Sequence, residues 1–433
     1  MKRLLALLLL AGGTTALAQD DVTVESGVIT ISQAGGRDLP IAVPKPKGST
    51  DGVDEIWEVV RADLDRSGYF EVIDPDAYVE PATAGIALGE FNFLDWELPD
   101  PVVLAKTGLG TSGDNVTAEL WVYDVPGKRK LGAKRFTASS SSTRYVGHRI
   151  SDEIIKLVTG EPGVNTTKFA ASHSANGNKE ISLVDIDGHN VTPITRNGSI
   201  NLQPAWSAGG DRIAYTSYRS GNPDLYVADL KNGKVHRISS RSGVNMGATW
   251  SPVGNSLVAT LSSGGSGGTD LFSLDARNGA KLAQLTKAPG IDVSASFSPD
   301  GSQIAFSSER SGGVQIYVMP STGGEATRVT FQGSHNTDPA WSPKGDRIAF
   351  VGRDGHFDVF TVGVDGKGME RLTQDQGSNE DPCWSPDGRY VAFSSTRGGS
   401  SNIWMSTADG RHQTQVTQGG GWTNPAWSPR LTW

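Results

Sequence analysis

Residues 382–394 read PCWSPDGRYVAFS, and one part of this stretch, an aromatic residue followed by Ser and usually Pro, recurs through the second half of the chain. The aromatic residues of its six copies are separated by 44, 47, 44, 43 and 43 residues: Trp206, Trp250, Phe297, Trp341, Trp384 and Trp427. A period in the forties with several short strand-like segments is typical of the blades of a β-propeller. Each period holds four such segments, so the pattern predicts four-stranded blades.

A second element, a hydrophobic residue followed by Thr or Ser, closes each period. Its six copies are Ile194-Thr195, Ile238-Ser239, Leu285-Thr286, Val329-Thr330, Leu372-Thr373 and Val416-Thr417. The first unit, Lys168 to Thr195, lacks the aromatic-Ser-Pro strand, whereas Asn424 to Pro429 is such a strand without a unit of its own. We therefore predict that the C-terminal strand completes the first blade and closes a six-bladed ring, which removes two unpaired sheet edges. Five blades with a frayed end is the alternative.

The region before the repeats mixes helical and strand-like patterns. Apolar residues at helical spacing predict helices around residues 53–64 and 146–158. Strand-like runs lie between the helices, at residues 69–73, 102–106 and 116–125. Residues 160–163, GEPG, mark a boundary. The predicted fold class is α+β, with an N-terminal α/β domain over residues 19–160 followed by an all-β six-bladed propeller over residues 164–433.

Composition excludes several classes of function. The chain has 433 residues, 54 of them Gly, and a net charge of −8. This much Gly without a collagen period indicates many tight turns. An acidic chain without a basic face is not expected to bind nucleic acid. The single cysteine, Cys383, excludes an intramolecular disulfide, and the equivalent residues of the other blades are all small, so we interpret it as an inert packing residue.

The charge is divided unevenly between the two regions. Residues 19–160 carry 14 basic and 23 acidic residues, a net charge of −9, whereas residues 161–433 carry 23 and 24, a net charge of −1. A nearly neutral propeller is expected to recognise a partner by shape and hydrogen bonds more than by its electric field.

The N-terminus has the pattern of a signal peptide. Lys2 and Arg3 precede an apolar run over residues 4–11, and Ala16-Leu17-Ala18 forms a small-x-small cleavage site. The run is too short to cross a bilayer, which takes about 20 residues. We predict that residues 1–18 are removed and that the exported chain does not insert into a membrane.

Two glycine motifs resemble enzyme signatures. Residues 108–113 fit GxGxxG, but a strand follows where dinucleotide binding needs a helix, so a hairpin is predicted. Residues 264–268 fit GxSxG, but they lie in a low-complexity hairpin instead of a strand-to-helix elbow. Seven scattered histidines show no metal-binding spacing, and among them His335, in a blade-to-blade loop, is a candidate partner contact. We therefore predict no catalytic residues and no enzyme activity.

Six equivalent residues begin the innermost strands near the predicted channel mouth: Gln203, Gly247, Ser294, Asp338, Asp381 and Asn424. Asp338 and Asp381 could hold a Ca²⁺ ion through oxygen ligands or accept hydrogen bonds from a partner; capping of the strand starts is the alternative. No other cofactor is predicted. Four arginines also recur at one loop position, and structural bonds to neighbouring loop carbonyls are predicted for them: Arg219, Arg310, Arg353 and Arg397.

The order of signal peptide, α/β domain and propeller resembles the TolB family, the periplasmic propeller proteins of the Tol-Pal system. Local matches support the resemblance over essentially the whole mature chain: residues 24–28 (VESGV), 59–70 (VVRADLDRSGYF), 144–148 (RYVGH) and 156–160 (KLVTG). The resemblance implies a non-enzymatic periplasmic protein, a monomer that links inner-membrane Tol proteins to the lipoprotein Pal. Its implied role is to support outer-membrane integrity and invagination during cell division.

The resemblance also implies two partner sites. The flexible mature N-terminus, here about residues 19–31, binds the C-terminal domain of TolA in the family, which assigns this role to Val22, Val24, Glu25, Ser26 and Val28. Pal docks on the channel face of the propeller, which assigns Pal contact to Gln203, Asn245, Met246, Asp292, Asn336, Thr337, Asp338, Glu380, Asp381 and Trp422.

A periplasmic propeller hydrolase or lactonase with a metal in the channel is the alternative function. A convergent set of acids and histidines in the channel would favour it. The sequence offers two aspartates there and no histidine in matching register.

Overall fold

The structure, a computed structural model, describes residues 22–23, 38–48, 51–175, 177–263, 268–374 and 376–431. The described residues form two compact units. One contains those up to residue 61 together with residues 70–160, and the other contains residues 62–69 and 161–431. The predicted signal peptide lies outside the described residues. Across the described ranges, no helix is both long and apolar enough to span a bilayer.

The N-terminal domain is built on a six-stranded sheet with the strand order β1-β6-β5-β4-β2-β3. Its strands are β1 (Val22–Thr23), β2 (Leu39–Ala42), β3 (Phe70–Val72), β4 (Val103–Ser112), β5 (Asn115–Asp124) and β6 (Arg129–Ser139). Strands β4, β5 and β6 form an antiparallel meander, whereas β2 runs parallel to both β3 and β4. Short 3₁₀ helices cover Pro75–Ala77, Phe93–Trp96 and Ser140–Ser142.

Two α-helices, α1 (Val53–Arg66) and α2 (Thr143–Thr159), confirm the predicted helices. Their buried apolar residues follow the helical spacing seen in the sequence. Close approach of the two helices depends on Gly147, where a Cβ atom would lie 2.7 Å from the Val59 side chain. Helix α2 ends at Gly160, whose positive φ of 80° lets its N–H donate to the Lys156 carbonyl at 2.9 Å.

The three predicted strands correspond to β3, β4 and β5, but β2 and β6 were not predicted. Strand β6 reads RKLGAKRFTAS, and its four cations obscure the period-two alternation expected of a strand. The GxGxxG motif lies in an antiparallel hairpin, as predicted. Residues 108–112 of the motif belong to β4, and residues 113–114 form the turn.

The second unit contains six four-stranded antiparallel sheets. Blade 1 comprises β7 (Lys168–Ala175), β8 (Asn178–Asp185), β9 (Thr192–Pro193) and, as its innermost strand, β30 (Trp422–Trp427); blade 2 comprises β10 (Asn201–Trp206), β11 (Arg212–Ser217), β12 (Asp224–Asp229) and β13 (Val235–Ser239); blade 3 comprises β14 (Asn245–Trp250), β15 (Ser256–Ser262), β16 (Thr269–Asp275) and β17 (Lys281–Gln284).

Blades 4 to 6 follow the same order from the innermost strand outward. Blade 4 comprises β18 (Asp292–Phe297), β19 (Gln303–Ser308), β20 (Gln315–Pro320) and β21 (Thr327–Arg328); blade 5 comprises β22 (Asn336–Trp341), β23 (Arg347–Asp354), β24 (His356–Gly363) and β25 (Glu370–Arg371); blade 6 comprises β26 (Asn379–Trp384), β27 (Tyr390–Ser395), β28 (Asn402–Thr407) and β29 (Gln413–Gln415).

The C-terminal strand closes the ring as predicted. Strand β30 pairs antiparallel with β7, in a register that places Trp422 opposite His173 and Trp427 opposite Phe169. The first blade therefore combines strands from both ends of the propeller, and the five-blade alternative was wrong.

Three of the repeated tryptophans form a hydrogen bond to the neighbouring blade. The indole Nε1 of Trp206, Trp250 and Trp384 donates to a backbone carbonyl of the preceding blade at 3.1, 3.0 and 2.9 Å. The accepting residue is always the small one before the aromatic: Ala426, Ala205 and Ala340. Cys383 is the equivalent small residue of blade 6, and burial raises the pKa of its thiol to about 12 and so keeps it protonated.

Candidate partner-binding site

The six equivalent residues of the innermost strands share an unusual backbone conformation. Their φ angles are all positive, between 49° and 61°, at Gln203, Gly247, Ser294, Asp338, Asp381 and Asn424, which we call the channel ring. Each is the third residue of its strand, where the pairing register with the second strand shifts. Such a bulge re-aims a side chain out of the normal strand alternation. Because five members are not glycine, the ring keeps five left-handed residues at a cost of about 1–2 kcal/mol each.

Side chains of the channel ring bridge neighbouring blades. Ser294 Oγ donates to Asp338 Oδ1 at 2.7 Å, which joins blades 4 and 5. Asn424 donates to Asp381 through its side-chain Nδ2 (2.8 Å) and its backbone N–H (3.1 Å), which joins blades 1 and 6. Ser394 Oγ also donates to Asp381, at 2.8 Å. Strand capping, the alternative, does not describe these contacts, because most of the bonds join one blade to another.

The acidic residues of the ring lie in a desolvated setting. Burial, followed by the charge of Asp381, raises the pKa of Asp338 to about 6. The same two causes raise the pKa of Glu380, the residue before Asp381. Both carboxyl groups are therefore harder to ionise than an exposed carboxyl group.

A gap in the ring lies at Gly247, the one position without a side chain. A Cβ atom there would be 3.7 Å from Thr260 Oγ1 and 3.8 Å from Gln203 Oε1. Neither oxygen has a hydrogen-bond partner, although both atoms are buried. A buried polar atom without a partner costs about 1–3 kcal/mol.

Four predicted Pal contacts are buried, which corrects their assignment. Asn245, Asp292, Asn336 and Trp422, each the first residue of an innermost strand, are exposed by 0%, 1%, 3% and 3%. Their partners lie within the propeller, so we remove them from the proposed contact surface. The other predicted contacts, Gln203, Met246, Thr337, Asp338, Glu380 and Asp381, are partly or fully exposed and remain candidates.

The buried asparagines belong to a network that the sequence reading missed. At blades 5 and 6, Thr373 Oγ1 and Asn379 Nδ2 both donate to Asp358 Oδ1, at 2.6 and 3.0 Å, and Thr373 Oγ1 accepts from the Val359 N–H at 3.0 Å. The same three positions are Gln315, Thr330 and Asn336 between blades 4 and 5. We call this arrangement a latch: a third-strand polar residue, the closing Thr or Ser, and the first residue of the next innermost strand.

Two further seams between blades are latched. Asn201 Nδ2 donates to Glu180 Oε2 at 3.0 Å, and Thr195 Oγ1 donates to the same oxygen. At the next seam Ser239 Oγ donates directly to Asn245 Oδ1 at 2.5 Å. The signal in the sequence was the sixfold repetition of the closing Thr or Ser, which identified a strand but not its hydrogen-bond partners.

The recurring arginines are structural, but not in the way predicted. Their guanidinium groups lie over aromatic rings of their own blade, at 3.8 Å for Arg219 over Tyr226 and 4.4 Å for Arg397 over Trp404. Instead of loop carbonyls, Arg310 pairs with Asp292 at 3.1 Å.

The predicted TolA-binding segment is described only in part. Val22 lies in β1, whose two residues pair with Ala133 and Lys134 of β6 at the edge of the N-terminal sheet. The other predicted contacts, Val24, Glu25, Ser26 and Val28, lie outside the described residues, as do residues 264–267 of the GxSxG motif.

The channel offers few metal ligands. Within the described part of the propeller, no three carboxylate, imidazole or thiol groups converge at the channel ring. Asp338 and Asp381 remain the residues that would hold a Ca²⁺ ion, and both of them already accept hydrogen bonds from neighbouring side chains.

Comparisons with known proteins agree on one family. A profile described as "TolB amino-terminal domain" matches residues 27–131, and another described as "TolB beta propeller domain" matches residues 155–431. A Tol-Pal system protein TolB of Anaeromyxobacter dehalogenans is 39% identical over 345 residues, 79% of this chain and 68% of that protein. One from Geobacter sulfurreducens is 40% identical over 212 residues, and the match spans about half of either protein, 48% of each.

A solved structure extends the similarity to the whole architecture. The crystal structure of TolB from Acinetobacter baumannii superimposes with a TM-score of 0.81 at 25% identity, covering 95% of this chain and all of that one. Since the propeller profile alone matches more than half of the chain, and the relatives agree with it, the chain belongs to the TolB family.

Proposed function

We propose that this protein is a non-enzymatic periplasmic component of the Tol-Pal envelope system. In this role its propeller binds the lipoprotein Pal through the channel face, and its N-terminal segment binds the C-terminal domain of TolA. The two contacts would support outer-membrane integrity and invagination during cell division. Family membership supports the system, and the named partners follow from the resemblance described above.

The observation that carries the channel-face assignment is the ring of six left-handed residues. Backbone strain retained at equivalent positions of five of the six blades is a reason to look for function there. The second residue of each innermost strand is also partly or fully exposed, so polar and apolar side chains surround the ring. Protein partners are recognised by such mixed surfaces.

The N-terminal segment supports a separate contact. Strand β1, whose described residues are Val22 and Thr23, occupies the edge of the sheet beside β6. Edge strands of this kind can exchange one pairing partner for another. We propose that pairing with β6 competes with binding to TolA. The N-terminal segment would then bind TolA only when it is released from β6.

Binding assays with the mature protein test both contacts. Replacing Thr337 and Glu380 with bulky residues is expected to weaken Pal binding without changing the melting temperature, because both side chains are on the surface of the mouth. Deleting residues 19–31 is expected to abolish TolA binding and to leave Pal binding intact. Loss of Pal binding in the deletion, or unchanged Pal affinity in the double variant, would contradict this assignment of sites.

A channel Ca²⁺ ion is a further proposal, supported by the two ring carboxylates. Calorimetric titration of Ca²⁺ into the wild type and into an Asp338→Asn, Asp381→Asn variant tests it. Heat of binding that is present in the wild type and lost in the variant is the expected result. The alternative, a metal-dependent hydrolase or lactonase, is not favoured by the small number of ligands at the ring.

A further inference from the structure

The channel mouth, defined as the second and third residues of the six innermost strands, divides into two chemically different arcs. The second residues, in the order of blades 2 to 6 and then 1, are Leu202, Met246, Val293, Thr337, Glu380 and Thr423. All six are at least partly exposed. Blades 2, 3 and 4 thus present three adjacent apolar residues, the apolar arc, whereas the other three blades present polar or acidic ones.

Acidic groups are concentrated on the opposite side of the mouth. Asp338, Glu380 and Asp381, which belong to blades 5 and 6, form the acidic arc. None of the three forms an ion pair with a lysine, arginine or histidine in the part of the chain that the structure describes. Burial and mutual repulsion raise the pKa of Asp338 and of Glu380. A cation supplied from outside the protein would therefore be attracted to this arc.

The gap at Gly247 is an independent sign of an external group. Thr260, exposed by only 1%, has a hydroxyl with no hydrogen-bond partner, and the carbonyl oxygen of Gln203 likewise has none. Both atoms border the space that a side chain at Gly247 would occupy. Buried polar atoms are nearly always satisfied, so this space is suited to a polar group that the propeller itself does not provide.

We propose that the mouth takes a protein segment that places an apolar side chain on the apolar arc and an arginine or lysine side chain against the acidic arc. A polar group of the same segment is accepted at the gap at Gly247 once the Thr260 and Gln203 side chains, whose oxygens are buried in this structure, turn toward it. The inference rests on the proposed function, because it describes the chemistry of the Pal segment that the channel face would bind. It commits to a basic and apolar segment, and a divalent ion at the acidic arc is a competing outcome of the test.

The arrangement gives orientation as well as attraction. The two arcs lie on different blades, so a segment with one apolar and one basic side chain fits in one direction only. The propeller as a whole is nearly neutral, with 23 basic and 24 acidic residues over residues 161–433. Charge at the mouth is therefore a local feature, and a partner of the wrong charge would be repelled at the point of contact.

Calorimetry with the soluble domain of Pal from the same organism tests the proposal. Glu380→Lys is expected to weaken binding about tenfold or more, because it places a like charge at the acidic arc. Met246→Gln is expected to weaken binding about fivefold through lost apolar contact, with an unchanged dependence on salt. The matched control is Glu325→Lys, which makes the same change in an exposed turn at the opposite end of blade 4 and should bind as the wild type does.

The outcomes separate this inference from the proposed function. If the wild type binds Pal but Glu380→Lys and Met246→Gln bind equally well, the proposed function survives and the two-arc inference is overturned. Tighter binding by Glu380→Lys would also overturn it, because the partner would then be acidic. If the wild type does not bind Pal at all, both fail together. Melting curves of each variant exclude unfolding as the cause of weaker binding.

The titrations are repeated with EDTA and with 1 mM Ca²⁺ to distinguish a basic side chain from a metal. This concentration is roughly the weakest affinity range of extracellular calcium modules. An effect of Glu380→Lys that persists in EDTA supports a basic side chain. An effect seen only with Ca²⁺ would mean that the acids hold a metal, which overturns the inference. A compensating Arg→Glu or Lys→Glu change in Pal that restores binding to Glu380→Lys would identify the partner residue.

Discussion

Two kinds of seam hold the propeller together, those between neighbouring blades and the one that closes the ring inside blade 1. Four of the six seams between blades carry a latch in which the first residue of the next innermost strand is an asparagine: Asn201, Asn245, Asn336 and Asn379. The closing seam is the pairing of β30 with β7 in blade 1, where the first residue of the innermost strand is Trp422. Its ring stacks on His173 with centroids 3.9 Å apart and an interplanar angle of 6°.

The closing seam joins strands from the two ends of the propeller, and the stack of Trp422 on His173 adds apolar contact to the strand pairing there. In the latches, directional bonds connect segments that are close in sequence. The strand that closes the ring must instead be captured from a distance of some 250 residues along the chain, which has a larger entropic cost of loop closure. Two buried indoles, Trp422 and Trp427, supply the large apolar contact that offsets this cost.

Removing the closing strand is expected to have the largest effect. A chain that ends at Gly421 leaves β7 as an unpaired edge and exposes the ring partners of both tryptophans, Phe169 and His173. Since burial of one large aromatic is worth about 3–5 kcal/mol, the loss approaches the whole stability of a domain. We expect the propeller to lose its cooperative thermal transition by calorimetry. A melting temperature equal to that of the full chain would disprove closure by β30.

The two kinds of seam can be compared by single substitutions. Trp422→Asn gives the closing seam the residue of a latch, and we expect a loss of about 3–4 kcal/mol in the free energy of unfolding, because the stack on His173 is replaced by a cavity. Asn379→Ala at a latched seam should cost less, about 2 kcal/mol, since Asp358 keeps its bonds from Thr373 and Arg371.

Denaturant unfolding of both variants measures this difference. A larger loss for Asn379→Ala than for Trp422→Asn would reverse the ranking of the seams. The variant Asn232→Ala, in an exposed turn of blade 2, serves as a control for removing an asparagine and should change stability by less than about 0.5 kcal/mol.

Two substitutions in the channel ring are expected to change the stability of the propeller in opposite directions. Asp338, beside a latched seam, is destabilised as an anion, so Asp338→Asn is expected to stabilise the propeller at pH 7.5 by about 1–2 kcal/mol. This is below the roughly 3 kcal/mol that its pKa rise to about 6 corresponds to, because the side chain is partly exposed. Asp381→Asn should destabilise instead, because an amide cannot accept all the bonds that the Asp381 carboxylate receives from Asn424 of β30 and from Ser394.

The pH dependence of the Asp338 effect follows from its raised pKa. In the wild type the folded state binds a proton at Asp338 more readily than the unfolded state does, so this group adds stability as the pH falls from about 6 toward 4. The advantage of Asp338→Asn over the wild type should therefore shrink over the same range. Melting temperatures at pH 7.5 and 4.5 check it, and an advantage that grows toward pH 4.5 would contradict the sign.

The smallest expected effect concerns the stack at the closing seam. Burial lowers the pKa of His173, so the folded state favours the neutral ring. The contribution of His173 to the free energy of unfolding is present above the pKa that this residue has in the unfolded state. It declines as the pH falls through that value. We expect His173→Phe to keep the stack and to lose part of the wild type's acid sensitivity between pH 7.5 and 5.5. Identical pH profiles for the two proteins would show that the stack does not titrate.

Much of the fold could be predicted because repetition is visible in one dimension. Six spaced copies of an aromatic-Ser motif and six closing Thr or Ser residues were enough to count blades and to find the strand that closes them. Strands β2 and β6 were missed because a strand rich in Lys and Arg has no clear period. The candidate site was found only as a region: Asp338, Glu380 and Asp381 were identified, whereas burial removed Asn245, Asp292, Asn336 and Trp422 from its surface.

By itself, the sequence determined the number of blades, their four-strand content and the partner of the last strand, because these follow from the order and spacing of local patterns. Only the tertiary structure decided which polar residues face a partner and which hold the blades together. Neighbouring residues such as Asn379 and Glu380 differ in this respect although both are polar, since strand alternation points one into the preceding blade and the other toward solvent. The left-handed bulge at Asp381 then re-aims the residue that follows, and its geometry depends on pairing between strands instead of on the residues alone.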